Sequence, residues 1–92
     1  MEKIMIDNNT YNLIINYKNG FNQSLFTERY TDYFADFDYI VGDIAYNKLR
    51  LKGFYDNNNP KVKAINNYNK LKEYLDKNCA TECQYFVLKK ID

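Results

Sequence analysis

The sequence predicts an α+β domain: a mostly antiparallel sheet of about five strands, in the order ββ-α-ββ-α-β, with two helices packed on it. Three observations lead there. Short β-branched and aromatic runs recur along the chain, bounded by Asn, Asp and Gly. Two longer stretches instead space their apolar residues three and four apart, the period of a helix face. With 92 residues, 46% of them hydrophobic and 17% aromatic, the chain has enough large apolar surface for one core and none to spare for a second. Residues 1–92 are therefore read as a single domain.

Taken in order, Lys3–Ile6 is a short strand and Asp7-Asn8-Asn9 a turn. Thr10–Tyr17 (TYNLIINY) is the second strand of an opening hairpin, closed by Asn19-Gly20, where positive φ is tolerated. The first helical region is Phe21–Phe37, with Asn22 as N-cap and a stripe of Phe21, Leu25, Phe26, Arg29, Tyr30, Tyr33, Phe34 and Phe37; Thr31-Asp32 is a possible break. Asp38–Asp43 is a strand with the apolar centre Tyr39-Ile40-Val41, and Gly42 marks a bulge or a close backbone approach. Ile44–Asn47 connects it to Lys48–Tyr55, whose alternation places Leu49, Leu51 and Gly53 on one face and Lys48, Arg50, Lys52 and Phe54 on the other. The stretch Asp38–Asp56 is expected to form the centre of the sheet.

Asp56–Pro60 (DNNNP) is a loop, and Pro60 suits the first turn of a second helix. That helix carries the stripe Val62, Ile65, Tyr68, Leu71, Leu75 and Cys79, ends at Ala80–Glu82, and is followed by a last strand, Gln84–Ile91.

Several blocks resemble the YutD-like family of small bacterial proteins. They are Asn16–Asn22 (NYKNGFN), Phe26-x-x-Arg29-Tyr30-Thr31-Asp32, Asp38–Asp43 (DYIVGD), Leu49–Tyr55 (LRLKGFY) and Cys79-x3-Cys83-x-Tyr85-Phe86-Val87-Leu88. The resemblance implies a small cytosolic α+β protein and assigns it no reaction. The chain departs from the family pattern in Ala80-Thr81-Glu82 between the cysteines and in Ile44-Ala45-Tyr46 after Asp43.

Composition excludes several functions. The chain has no histidine and one serine, Ser24, so no Ser-His or Cys-His pair exists. Cys79 and Cys83 supply at most two thiolates where a structural zinc site needs four ligands. No metal site and no cofactor is expected, and the thiols are read as reduced, as in a cytoplasmic protein. A nuclease-type acid pair fails as well: Asp43 precedes Lys52, but the position two before that lysine is Arg50. No apolar run is long enough to span a membrane, and the N-terminus lacks the apolar stretch of a secretory signal. The chain is read as cytoplasmic and non-enzymatic.

What remains is a set of candidate binding residues: Arg29, Asp43, Arg50, Lys52 and Tyr55. Both arginines lie in family-like blocks, and a guanidinium offers a planar fork that lysine lacks. Two readings stand side by side. The groups form an anion-binding or partner-binding face, or Arg29 and Arg50 pair structurally with Asp32, Asp38 or Asp43. The expected function is a small binding or adaptor module that contacts a protein through a basic and aromatic face around residues 38–56. The alternative is an RNA- or DNA-binding regulator, which a formal net charge of +1 disfavours.

Overall fold

The computed structural model describes residues 2–78 and 83–91. Five strands, β1 (Glu2–Ile6), β2 (Asn9–Tyr17), β3 (Tyr39–Ala45), β4 (Lys48–Phe54) and β5 (Tyr85–Lys90), form one antiparallel sheet in the order β1-β2-β5-β3-β4. Helix α1 (Gln23–Arg29) is followed by a 3-10 turn, Asp32–Asp36; helix α2 (Leu71–Asn78) is preceded by short 3-10 turns at Ala64–Asn66 and Tyr68–Lys70. The α+β expectation holds.

The tight connections follow from local chemistry. Asp7-Asn8, Lys18-Asn19 and Tyr46-Asn47 all take positive φ; the first and third are the two-residue hairpin turns that match strand twist, and the second leads from β2 to α1. At the second of these the strain falls on Lys18 and Asn19, while Gly20 keeps negative φ and lies against the backbone of Tyr85. The hairpin after β3 is tighter than the sequence suggested: Ile44 and Ala45 belong to β3, and only Tyr46-Asn47 turn.

Asn22 caps α1 as expected, its side chain accepting from the Leu25 N–H at 3.0 Å. The helical region breaks at Tyr30-Thr31. The break turns Tyr30 and Phe37 into the core, and leaves Arg29, Tyr33 and Leu25 outside. The second helix begins at Leu71 and not at Pro60. Residues 60–70 do not form its first turns, because local bonds compete: Asn66 Oδ1 accepts from the Lys63 N–H and Asn67 Oδ1 from the Asn69 N–H. Tyr55 also draws this segment into a short parallel pairing, donating to the Asn66 carbonyl at 2.7 Å and accepting from the Tyr68 N–H at 3.0 Å.

The sheet is the middle of three layers. Under α1, Ile4, Tyr11, Leu13, Ile40, Leu49, Phe86 and Leu88 pack with Phe26 and Tyr30. On the opposite face Tyr39, Val41, Phe54 and Val87 are covered by Tyr68, Leu71, Tyr74 and Leu75. Gly42 marks close packing, not a bulge: a Cβ there would sit 2.1 Å from Cζ of Phe86, and the β3–β4 register runs unbroken past it. The register slip lies in β2, between Leu13 and Ile15. The expectation that residues 38–56 form the sheet centre is corrected. β5 is central, β3 lies beside it, and β4 is an edge strand.

Candidate functional site

The candidate residues fall into three separate places. Asp43, on β3, and Arg50, directly opposite on β4, share the sheet face that carries α2. Asp43 is only 1% exposed, and Arg50 meets it with both prongs of the guanidinium: Nε donates to Oδ1 at 2.9 Å and Nη2 to Oδ2 at 3.0 Å. The same Nη2 donates to the Asn78 carbonyl at the end of α2. A cation placed there also complements the negative end of the helix dipole. The hydrogen bond to Asp43 raises the Arg50 pKa above its ordinary value. Among the two sequence readings, pairing with Asp43 is what Arg50 does. The pair joins the sheet to α2 and leaves the carboxylate no reach to solvent.

Lys52 lies one step along the same face. Its ammonium sits 5.2 Å from the Phe54 ring centroid and 5.7 Å from that of Tyr74. Phe54, the aromatic expected to be exposed on this face, is fully buried, because Tyr68 and Tyr74 pack edge-on against it. A cleft of about 510 Å³ opens instead between β4 and α2, with Lys52, Lys70 and Lys77 around an apolar floor of Phe54, Tyr74 and Ile65, and Glu73 at its rim. Burial first, and the nearby Asp43 charge second, raise the Tyr74 pKa and keep the phenol neutral.

A smaller cleft of about 280 Å³ lies across the β4 edge, between Tyr33, Phe37, Leu51, Gly53 and Ile65. Lys52 and Ile65 border both clefts, and Ile65 is 76% exposed. Sequence reasoning missed Ile65, Lys70, Lys77 and Tyr33. Lys70 and Lys77 are seven residues apart, the spacing of one helix face, but in a lysine-rich chain that signal has little contrast.

Tyr55 is not a free contact residue. It is buried, and its hydroxyl donates to Asp36 Oδ2. Lys61 grips the same carboxylate at 2.8 and 3.0 Å. Asp38, one of the expected arginine partners, instead accepts from the Asp56 N–H at 2.7 Å and the Asn59 amide at 3.0 Å, which fastens the loop after β4. Arg29 is exposed on α1, across the sheet from Asp43, Arg50 and Lys52, and does not join them. The expectation of free thiols is also corrected: Cys83 is disulfide-bonded. Redox compartment predicts the average thiol, whereas bonding depends on what stands beside the sulfur. Cys79 and the helix end at Ala80–Glu82 lie outside the described residues.

Known proteins resemble the chain over nearly its whole length. Residues 5–89 match the family model described as "Putative antitoxin YutD-like". The Bacillus subtilis (strain 168) protein named "Putative antitoxin YutD" is 46% identical over 88 residues, which cover 96% of this chain and 97% of that protein. The solution NMR structure of protein yutD from B. subtilis superposes with a TM-score of 0.83 at 44% identity, covering 99% of this chain and 83% of the other. Sequence match and fold agree, and the chain belongs to the YutD-like family.

Proposed function

We propose that the chain acts by binding a protein partner along the β4 margin, in keeping with the antitoxin role that its relatives' names carry. The observation behind this is the pair of clefts that flank β4 and meet at Ile65. Together they offer what protein interfaces use: exposed apolar side chains (Ile65 at 76%, Tyr33 at 68%) rimmed by charge. The charge is mainly positive, Lys52, Lys70 and Lys77 against Glu73, so the partner surface is acidic. Within the original candidate set this reading keeps Lys52 as a contact residue. It assigns Asp43, Arg50 and Tyr55 to holding the surface in shape, and leaves Arg29 outside it.

The test combines capture with neutralisation. The wild-type chain and the variant Lys52→Glu/Lys70→Glu/Lys77→Glu are used as bait in lysate of the parent cell, and the captured protein is identified and then overproduced. The expected result is that the variant loses at least about tenfold in capture, one decade of affinity, and that only the wild type relieves growth arrest by the captured protein. Equal capture and equal relief would place the interface elsewhere. A captured complex that dissolves on nuclease treatment would favour nucleic acid as the partner.

A further inference from the structure

We infer that the partner docks by strand addition: an extended segment, acidic on one side and apolar on the other, pairs with the open edge of β4. This rests on the reading that the β4 margin is the protein-binding surface, and it specifies the backbone geometry of that contact.

The first argument comes from hydrogen-bond direction. Tyr55, just past β4, points its N–H and C=O away from β3, to Asn66 and Tyr68. Along a strand, alternate residues point their backbone groups the same way, so Gly53 and Leu51 also open outward. Among the described residues, no hydrogen bond reaches these two from that side. Residues 66–68 are thus a short added strand that the chain supplies to itself, and the pairing stops where Gly53 and Leu51 begin.

The second argument comes from the side chains. An added strand sends alternate residues to opposite faces of the sheet. At β4 each face has a cleft beside the open backbone. On the α2 side it holds Lys52, Lys70 and Lys77; on the α1 side it holds Tyr33, Phe37 and Leu51. A segment that alternates acidic and apolar residues satisfies both at once, and it covers Ile65, which borders both. The far edge strand, β1, borders neither cleft.

The third argument is against the chain's own second copy. In an antiparallel β4–β4 pair that sets Leu51 of one copy opposite Gly53 of the other, Lys52 faces Lys52, and like charges placed opposite are destabilising. Edge cations deter self-pairing, and the same cations attract an acidic strand.

The probe is a capped peptide of about seven residues, a typical strand length, alternating glutamate and valine. Its control has the same residues with glutamates and valines in separate blocks. Composition and charge are equal, so only the alternation differs. The alternating peptide is expected to bind at least about tenfold more tightly, one decade in Kd. It is also expected to slow hydrogen exchange at the Leu51 and Gly53 amides while β1 is unchanged. Leu51→Pro removes the outward N–H without touching the β3 ladder and should abolish this preference. If that variant does not fold, the exchange measurement on the wild type decides alone. Equal binding of the two peptides, or binding without protection of Leu51, would overturn strand addition and leave the basic protein-binding surface standing. Failure of both peptides to bind would overturn it too. So would a concentration-dependent dimer that protects Leu51 without peptide, since the occupant would then be a second copy.

Discussion

The two faces of the sheet use the same kinds of residue to different ends. Under α1 nine described residues form a buried cluster, and Phe26 and Tyr30 on the covering segment are themselves buried. Under α2 the buried cluster has four described residues, and no residue of α2 is buried. The α1 face is closed by interlocking rings, with Phe86 edge-on to both Phe21 and Phe26 and pressed into the space that Gly42 leaves. The α2 face is closed by half-buried rings and by a bidentate ion pair at one end. The contrast separates the work of the two halves. The α1 side makes the fold, and the α2 side, less completely covered, keeps the lysine-rimmed cleft.

The largest expected effect lies on the closed face. Phe86→Ala should cost about 3–5 kcal/mol, the range for a fully buried phenylalanine, read as a fall in the urea midpoint. Phe86 is fully buried and is enclosed by neighbours that cannot easily collapse onto it. A cost of only about 1 kcal/mol would mean the two faces are equally adaptable, and the contrast would fail.

Next comes the polar end of the thin face. Arg50→Met strands the buried Asp43 carboxylate and frees the end of α2. Complete burial of such a pair makes the loss of one partner cost about 3–5 kcal/mol. The arginine side chain is 43% exposed, so about 2–3 kcal/mol is expected. The double variant Asp43→Asn/Arg50→Met should be less destabilised than Arg50→Met alone, because no buried charge is left unpaired. A double variant that is worse than the single one would deny Asp43 this dependence on Arg50.

A smaller effect is expected where the cover is thinnest. Tyr68 stacks on Tyr39 with ring centroids 3.7 Å apart and planes 2° from parallel, yet it stays half-buried. Tyr68→Ala should cost about 1–2 kcal/mol, a stacking contribution plus partial burial. It should also speed amide exchange in residues 64–70 more than in α1. Equal acceleration on both faces would argue that the layers unfold as one unit.

The same contrast explains what the sequence made legible. Strands and turns were readable because each signal is local: TYNLIINY and YIVGD fall in β2 and β3, QYFVLKKI overlaps β5 with one residue over at each end, and Asn22 caps α1 where expected. Residues 60–70 were misread because their apolar spacing fits a helix, while their asparagines and the pull of Tyr55 decide otherwise. Sheet order was out of reach, since β5 reaches the centre only through pairing with β2 and β3, both distant in sequence. That is why the 38–56 hairpin looked central. Among the candidate residues, the Asp43–Arg50 pair was one of the readings the sequence left open, raised by acids close in sequence to the arginine; which acid it takes is decided by the register that sets Asp43 opposite Arg50. The clefts beside Lys52 were not legible, because their walls come from three segments that meet only in the fold.

The smallest effect concerns the loop that fastens the two layers together at the end of β4, and pH reads it out. The Asp36 carboxylate, first by accepting the Tyr55 hydroxyl and then with the help of burial, holds the Tyr55 pKa up at about 12. Lys61 first, and Tyr55 second, hold the Asp36 pKa below its ordinary value. The signs follow by linkage. Tyr55 contributes its full stability below pH 10, the ordinary tyrosine value, and loses it as pH rises toward about 12, because the unfolded chain ionises first. Asp36 contributes above its ordinary value of 3.8 and loses that share as pH falls below it. Tyr55→Phe removes the first contribution and part of the second, since Lys61 still pairs with Asp36. The melting temperature of the wild type should therefore fall more steeply than that of Tyr55→Phe between pH 10 and 12. The acid limbs should differ less. Some alkaline slope remains in the variant, because burial also raises the pKa values of Tyr68 and Tyr74 on the α2 face. Parallel alkaline limbs would show that the Tyr55–Asp36 bond does not hold the loop in solution, and that the loop is fastened by Asp38 and its partners, by the Lys61–Asp36 pair and by the Tyr55 backbone.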